Sequence, residues 1–122
     1  MKLIKFRAWC PDLGRMLNVR KIDFVSEQIE ISSDHLLYYY LFQIKLLEFT
    51  GIQDIHGNKI FEGDILAAPN IKIPRRWEVI WDYNGFYLYL HTIPPVTDPI
   101  HGMRHDLEII GNKFENPELM GA

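Results

Sequence analysis

The chain has 122 residues and carries a formal net charge of −3 with its histidines neutral. This length is that of one ordinary domain, so we predict a single domain over 1–122. The charge excludes the overall basic excess that is typical of non-specific nucleic-acid binders. The one cysteine, Cys10, excludes an internal disulfide and favours a reducing compartment. Because the sequence has no signal peptide and no apolar run of ~20 residues, we expect a cytoplasmic protein without a membrane segment.

In chain order, the first third of the sequence predicts short strands joined by turns. Residues 2–9 place apolar side chains on alternate positions, which indicates a half-buried strand. A turn at 11–14 leads into a second extended run at 16–24. A break at 26–28 then precedes a further strand at 29–31, so two hairpins are predicted.

The next segment, 34–49, fits two secondary structures. Apolar side chains recur there at the spacing of one helical face, whereas the aromatic run Tyr38–Phe42 favours a strand. We predict one short helix near 34–42, followed by a strand near 44–50. Tyr38–Phe42 is expected either to pack in the core or to form a protein–protein or self-association surface.

The stretch Phe49–Leu66 contains short apolar runs separated by turn residues. Its three glycines are Gly51, Gly57 and Gly63. Each lies next to Thr, Asn or Asp, whose side chains bond their own backbone, while glycine supplies a positive φ. We therefore predict strand, turn, strand, turn and strand, with Asp54 and Asp64 belonging to the turns.

Asn84-Gly85 is the strongest hairpin signal in the chain, because this dipeptide favours a type I′ turn between two β-forming runs. The predicted register pairs Tyr83 with Phe86, and it therefore places Glu78 opposite His91. Both faces of this hairpin are partly apolar, which predicts a position in the middle of its sheet.

The remaining segments complete a mainly β pattern. The proline-containing residues 67–76 and 92–105 predict loops, and 106–111 predicts a last strand. Short strands at a spacing of roughly 8–12 residues, with at most one short helix, are typical of a β-barrel or a β-sandwich. The predicted fold class is mainly β and β-barrel-like, in a single domain.

Three blocks of the sequence are distinctive. The first block is KFRAW, followed after a turn by Met16; the second is TGIQDIHGNKIFEGDIL, and the third is EIIGNKFENPEL. They resemble the signature of the YopX family, small proteins found mostly in bacteriophages and prophages. Together the three blocks cover nearly the whole chain in the order of the family. The resemblance implies a mainly β, barrel-like fold, a phage or prophage setting and no established biochemical activity. It supplies no catalytic residues.

Asp54, Glu62 and Asp64 form a candidate acidic cluster, since hard cations and general acid–base chemistry both use carboxylates. Their positions in predicted turns offer a structural explanation, because a carboxylate there accepts hydrogen bonds from its own backbone. The turn explanation accounts for all three residues, and we favour it.

His91, His101 and His105 are candidate zinc ligands. Two histidines at i and i+4 converge on one metal ion only on a helix, and Gly102 with Pro99 argues against a helix there. The sequence also has no pair of cysteines for a structural zinc site. We therefore predict no metal and no cofactor.

Lys72, Arg75, Arg76 and Trp77 form the compact basic and aromatic cluster of the sequence. In a small barrel, such a loop holds single-stranded nucleic acid while the indole stacks on a base. The alternative is a solvated loop whose Trp77 packs in the core. The single aromatic residue and the net charge favour this second explanation.

The sequence predicts no enzyme. The motifs GxSxG, GxGxxG and the P-loop are absent, and Cys10 has no activating partner at a recognisable spacing. The preferred function is a phage- or prophage-encoded accessory protein in the cytoplasm of the bacterial host, which binds a protein partner or a second copy of itself. The alternative is a small barrel that binds single-stranded nucleic acid through residues 72–77.

Overall fold

The structure, a computed structural model, describes residues 5–31, 37–69, 75–82, 84–100 and 106–120. The chain divides into two compact units, Met1–Phe49 and Thr50–Ala122, which are described in turn. Within the described residues the chain forms strands and short 3-10 helices, so the mainly β prediction is confirmed. That the whole chain is one domain stays a prediction.

The strands follow one another along the chain as β1 (Phe6–Cys10), β2 (Arg15–Asp23), β3 (Gln28–Ile31), β4 (Leu37–Tyr40), β5 (Lys45–Gln53), β6 (Lys59–Phe61), β7 (Asp64–Ala67), β8 (Arg76–Asp82), β9 (Gly85–Leu90), β10 (Val96–Pro99) and β11 (Glu108–Asn112). Short 3-10 helices follow β4 and β11, namely η1 (Leu41–Gln43) and η2 (Pro117–Met120). In the described part of the chain these strands form two antiparallel sheets, with the orders β4-β3-β2-β1-β5-β6 and β10-β9-β8-β7-β11.

The first unit is a meander in which β1 pairs with β2 and β5, β2 with β3, and β3 with β4. The alternation predicted for the first strand is confirmed, since Ala8 and Cys10 are fully buried. Together with Leu17, Ile29 and Ile31 they form the core of this unit. The lone thiol is therefore a buried packing residue.

The helix predicted near 34–42 is wrong over Leu37–Tyr40, whereas Leu41–Gln43 forms the short 3-10 helix η1. Leu37–Tyr40 forms β4, in which Tyr39 lies opposite Ile29 of β3. A neighbouring strand supplies backbone partners across its whole length, and tyrosine favours strands, so this pairing overrides the weak helical spacing. Residues 34–36 lie outside the described residues, and the strand predicted near 44–50 is confirmed as β5.

The second unit contains the end of β5, the short strand β6 and the five-stranded sheet. Its core consists of the buried side chains Ile60, Leu66, Ala68, Val79, Phe86, Leu88, Ile100 and Leu107. The β8–β9 hairpin lies between β7 and β10. The prediction that this hairpin occupies the middle of its sheet is therefore confirmed.

The register predicted for the β8–β9 hairpin is wrong by two residues. Trp81 lies opposite Phe86 and Asp82 opposite Gly85, so the reversal comes one residue earlier than predicted. Gly85 has no positive φ, which excludes the predicted type I′ turn at Asn84-Gly85. Because side chains alternate with a period of two, a two-residue slip keeps each of them on its predicted face.

The loop predicted over 92–105 contains a strand. Val96–Pro99 forms β10, which pairs with β9 and lies at an edge of the sheet. A proline is tolerated in an edge strand because no ladder partner is left without its N–H donor. Residues 101–105 lie outside the described residues, and the strand predicted at 106–111 is confirmed as β11.

Barrel-like closure is not confirmed. Among the described strands, one sheet ends on β4 and β6 and the other on β10 and β11. A closed barrel would instead pair its first strand with its last.

In the same part of the chain, no helix has both the length and the apolar character needed to cross a bilayer.

Candidate functional site

The stretch Phe49–Leu66 forms the predicted succession of strands and turns. Gly57 and Gly63 lie at its two corners with φ values of 83° and 91°, where an L side chain would be strained. Gly51, with a φ of 88°, lies inside β5 rather than at a corner. A positive φ inside a strand is typical of a β-bulge. All three glycines thus serve the backbone geometry.

Asp54 is nearly buried at the first corner, with 8% of its surface exposed. Its Oδ1 accepts hydrogen bonds from the backbone N–H groups of His56 and Asn58, both at 2.9 Å, and its Oδ2 accepts one from Ile109 at 3.1 Å. Burial raises the pKa of this carboxyl, but these backbone hydrogen bonds outweigh burial and hold the pKa below its usual value of 3.8. Both oxygens of the Asp54 carboxylate therefore accept hydrogen bonds from the protein backbone.

Asp64 closes the second corner. It is 1% exposed, and its Oδ2 accepts a hydrogen bond from the backbone N–H of Phe61 at 2.8 Å. Glu62 is half-buried in the same corner. Within the described ranges, no three histidine, cysteine, aspartate or glutamate side chains are grouped so that they could hold a metal ion.

Further contacts join the first corner to the region of β11. The backbone N–H of Ile55 donates to the carbonyl oxygen of Leu107 at 3.0 Å, beside the bond between Asp54 and Ile109. His56 Nε2 lies 3.0 Å from Glu108 Oε2. The sequence gives no signal for this histidine–glutamate pair, because 52 residues separate its members.

The C-terminal block EIIGNKFENPEL is also held by its own polar side chains. Asn112 Oδ1 accepts hydrogen bonds from the N–H groups of Phe114 and Glu115, at 3.0 and 2.9 Å. Asn116 Oδ1 accepts one from the N–H of Asn112 at 3.2 Å. A Cβ on Gly111 would lie 2.6 Å from Asn116 Oδ1, so any other residue at this position would displace the Asn116 side chain.

Glu78 is the buried acid of the central hairpin, with 8% of its surface exposed. Its Oε1 lies 2.9 Å from His91 Nε2, and its Oε2 lies 3.2 Å from Lys113 Nζ. The observed register places Glu78 opposite Tyr89, so the predicted neighbour His91 reaches it diagonally. His91 thus contacts a carboxylate, while His101 and His105 lie outside the described residues.

The predicted basic and aromatic cluster does not form a free stacking surface in its described part. Trp77 is half-buried and packs against the core of the second unit. Arg75 and Arg76 are exposed, and Arg76 Nη1 donates to the carbonyl oxygen of Leu119 at 3.3 Å. Lys72 lies outside the described residues.

The aromatic run of the first unit is divided between the core and the surface. Tyr39 and Leu41 pack against the core, whereas Tyr40 and Phe42 are 47% and 83% exposed. The rings of Tyr40 and Phe42 stack with their centroids 5.6 Å apart. The side chain of Tyr38 lies outside the described residues.

Two more exposed apolar side chains lie at the same end of this sheet. Phe24 and Val25, in the turn between β2 and β3, are 72% and 96% exposed. The register places Asp23 opposite Gln28 and Gln28 opposite Tyr40, so this turn and the end of β4 share one end of the sheet. We call Phe24, Val25, Tyr40 and Phe42 the first-sheet patch.

A small cavity lies on the β2–β3 hairpin beside the first-sheet patch. It has a volume of about 70 Å³ and is lined by Lys21, Asp23, Ser26, Gln28, Ile29 and Glu30. Asp23 accepts hydrogen bonds from the backbone N–H groups of Ser26 and Val25, which lower the pKa of its carboxyl. The cavity has room for a few water molecules only.

The described residues form antiparallel sheets, and the buried acids bond the backbone or neighbouring side chains. These features define a small, mainly β protein. The YopX protein family model matches residues 5–121, and the chain belongs to the YopX family. The resemblance carried by the three sequence blocks is thereby confirmed. No curated protein matches the sequence.

One solved structure gives a close comparison of the fold. It is the crystal structure of protein EF1440 from Enterococcus faecalis, which is 26% identical in sequence. The match covers 99% of this chain and 100% of that chain, with a TM-score of 0.72. The present chain is thus similar to EF1440 over its whole described architecture.

Proposed function

We propose that this chain is a phage- or prophage-encoded accessory protein that binds another protein and catalyses no reaction. The first-sheet patch carries this proposal. It brings Phe24, Val25, Tyr40 and Phe42 to one end of a sheet, each of them exposed. Exposed apolar and aromatic side chains that lie together are typical of protein-binding surfaces.

The buried acids support a role without catalysis. Asp54 and Asp64 accept hydrogen bonds from backbone N–H groups, and Glu78 contacts His91 and Lys113. A catalytic acid or base must instead face a substrate in a cleft. The cavity described above is too small for this purpose, and these acids do not line it.

The phage or prophage setting rests on what membership of the YopX family implies. We place the protein in the cytoplasm of the bacterial host, in agreement with its single buried thiol. The alternative role in binding single-stranded nucleic acid has less support. Stacking on bases needs an exposed aromatic face, whereas Trp77 packs against a core.

A comparative capture experiment tests the proposal. The wild-type chain, Phe42→Ser and Ile93→Ser are immobilised and incubated with lysate of lysogenic host cells. Ile93 is the matched control, because it is a fully exposed apolar residue of the second unit. We expect Phe42→Ser to lose a protein that both other baits retain, since buried aromatic side chains dominate interface energies. The same bound proteins on all three baits would contradict the proposal.

A further inference from the structure

The edges of the described sheets differ in their protection against pairing with another chain. Natural edge strands are protected by charges, prolines, bulges or shortness. β6 is three residues long and begins with Lys59. β10 contains Asp98 and Pro99, and β11 contains Glu108 and a shift in register. β4, Leu37–Tyr40, has no charge, no proline and no register shift, so it is the least protected of these edges.

The hydrogen bonds around β4 reveal which of its backbone groups point outward. The N–H of Leu41 donates to the carbonyl oxygen of Glu27 at 2.8 Å, which marks a hydrogen-bonded pair in continuation of the β3–β4 ladder. Since such pairs alternate along an antiparallel ladder, Tyr38 and Tyr40 direct their N–H and C=O groups away from β3. Gln43 Oε1 accepts the N–H of Tyr40 at 3.0 Å. Among the described residues, both the N–H and the C=O of Tyr38 therefore point away from β3, at the edge of the sheet.

We propose that β4 pairs with β4 of a second copy of this chain, antiparallel and about a two-fold axis at Tyr38. An outward N–H and an outward C=O on the same residue are self-complementary. On this axis each copy donates one hydrogen bond to Tyr38 of the other copy and accepts one from it. The inference rests on the proposed protein-binding role and names the chain itself as the partner.

Charge favours the same arrangement. Like charges that lie opposite one another on paired strands are destabilising, and Leu37–Tyr40 has none. The exposed acids Asp23 and Glu27 lie at the Tyr40 end of the sheet. In an antiparallel pair the Tyr40 ends of the two copies lie on opposite sides of the axis, so these acids do not face their counterparts.

The first-sheet patch adjoins this edge. Tyr40 is the last residue of β4, and Phe42 follows it in η1. A strand added to β4 continues the sheet at the edge that ends in these stacked rings.

Sedimentation velocity of the full chain over a range of concentrations tests the proposal. We expect the wild-type chain to show a monomer–dimer equilibrium. Tyr38→Lys or Tyr38→Glu alone places like charges opposite one another across the axis, and each should raise the dimer dissociation constant about tenfold. An equimolar mixture of the two variants should restore the dimer, because opposite charges then face each other. Symmetric pairing at Tyr38 predicts this rescue.

Val96→Lys is the matched control, because it adds a lysine to the protected edge strand β10. It should associate like the wild-type chain. The melting temperature of each variant establishes that it is folded. Amide hydrogen exchange on the wild-type chain needs no substitution: the Tyr38 amide should exchange more slowly at concentrations where the dimer forms.

A wild-type chain that remains monomeric at the highest attainable concentration overturns the proposal. A dimer whose dissociation constant is unaffected by both Tyr38 substitutions overturns it too. So does an equimolar mixture of the folded variants that fails to associate. A Tyr38 amide whose exchange rate does not depend on protein concentration also overturns it. None of these outcomes contradicts binding to a different protein. That role fails separately, when Phe42→Ser captures the same proteins as the wild-type chain.

Discussion

The carboxylate of Asp54 accepts a hydrogen bond from the backbone N–H of Ile109, which lies 55 residues further along the chain. This bond joins two of the blocks that carry the YopX resemblance, TGIQDIHGNKIFEGDIL and EIIGNKFENPEL. The N–H of Lys113 joins the same blocks, because it donates to the carbonyl oxygen of Gly63 at 2.9 Å. Two of the three blocks that carry the resemblance are therefore joined within the second unit.

Replacement of Asp54 should destabilise this junction. Asp54→Ala removes the acceptor of three backbone N–H groups, and we expect a loss of about 3 kcal/mol in the free energy of unfolding. Asp54→Asn keeps one acceptor oxygen and should lose about half as much. Urea denaturation measures both values. The exposed Asp98 is the control, because Asp98→Ala should change stability by less than about 0.5 kcal/mol. Equal effects at the two aspartates would contradict the structural role of Asp54.

The lowered pKa of Asp54 makes part of the stability depend on pH. The folded-state pKa lies below the usual value of 3.8, so the charged carboxylate stabilises the folded chain fully above that value. This contribution is lost as the pH falls through the folded-state pKa. We therefore expect the free energy of unfolding of Asp54→Asn to fall less on acidification than that of the wild-type chain. Unfolding curves from about pH 6 to about pH 2 give this difference, and parallel pH profiles would refute it.

Two glycines separate the effect of backbone conformation from that of side-chain space. A Cβ meets no atom within 4 Å at either Gly57 or Gly85, but only Gly57 has a positive φ, of 83°. Gly57→Ala should therefore cost about 1–2 kcal/mol, whereas Gly85→Ala should be neutral or slightly stabilising. Thermal and urea unfolding of the two variants test the contrast. A larger loss at Gly85 would mean that the hairpin needs a left-handed residue there after all.

The contact between Glu78 and His91 should appear as an energetic coupling. In a double-mutant cycle of Glu78→Gln and His91→Gln, we expect a coupling of about 1 kcal/mol in the free energy of unfolding, because the carboxylate is buried and the two groups lie 2.9 Å apart. A cycle between Glu78 and His56 is the control, since His56 contacts Glu108 instead. Additive effects in the first cycle, or equal coupling in both, would argue against the contact.

Local patterns in the sequence account for much of the fold. Ala8 and Cys10 are both buried because alternate residues of a strand share one face, and this follows from neighbouring residues alone. The corners at Gly57 and Gly63 are likewise local, since each depends on a positive φ beside an Asp or Asn. Such features can be predicted without knowledge of any distant part of the chain.

The errors arose where distant partners decide the structure. β4 is a strand because β3 supplies its hydrogen bonds, although the segment has helical spacing as well. The pairing of Trp81 with Phe86 was not predicted, because two registers that differ by two residues bury the same set of side chains. The pattern of apolar residues therefore does not distinguish them. The contact of His56 with Glu108 depends on the packing of segments that are far apart in sequence.

Site-specific photo-crosslinking in host cells tests the central claim most directly. A photoreactive amino acid is placed either at Phe42, in the first-sheet patch, or at Ile55, which is 48% exposed at the first corner of Phe49–Leu66. We predict a discrete cross-linked product, with a host or phage protein or with a second copy of the chain, from Phe42 and none from Ile55. Products from Ile55 but not from Phe42 would contradict the account and would place the binding surface at the first corner of Phe49–Leu66.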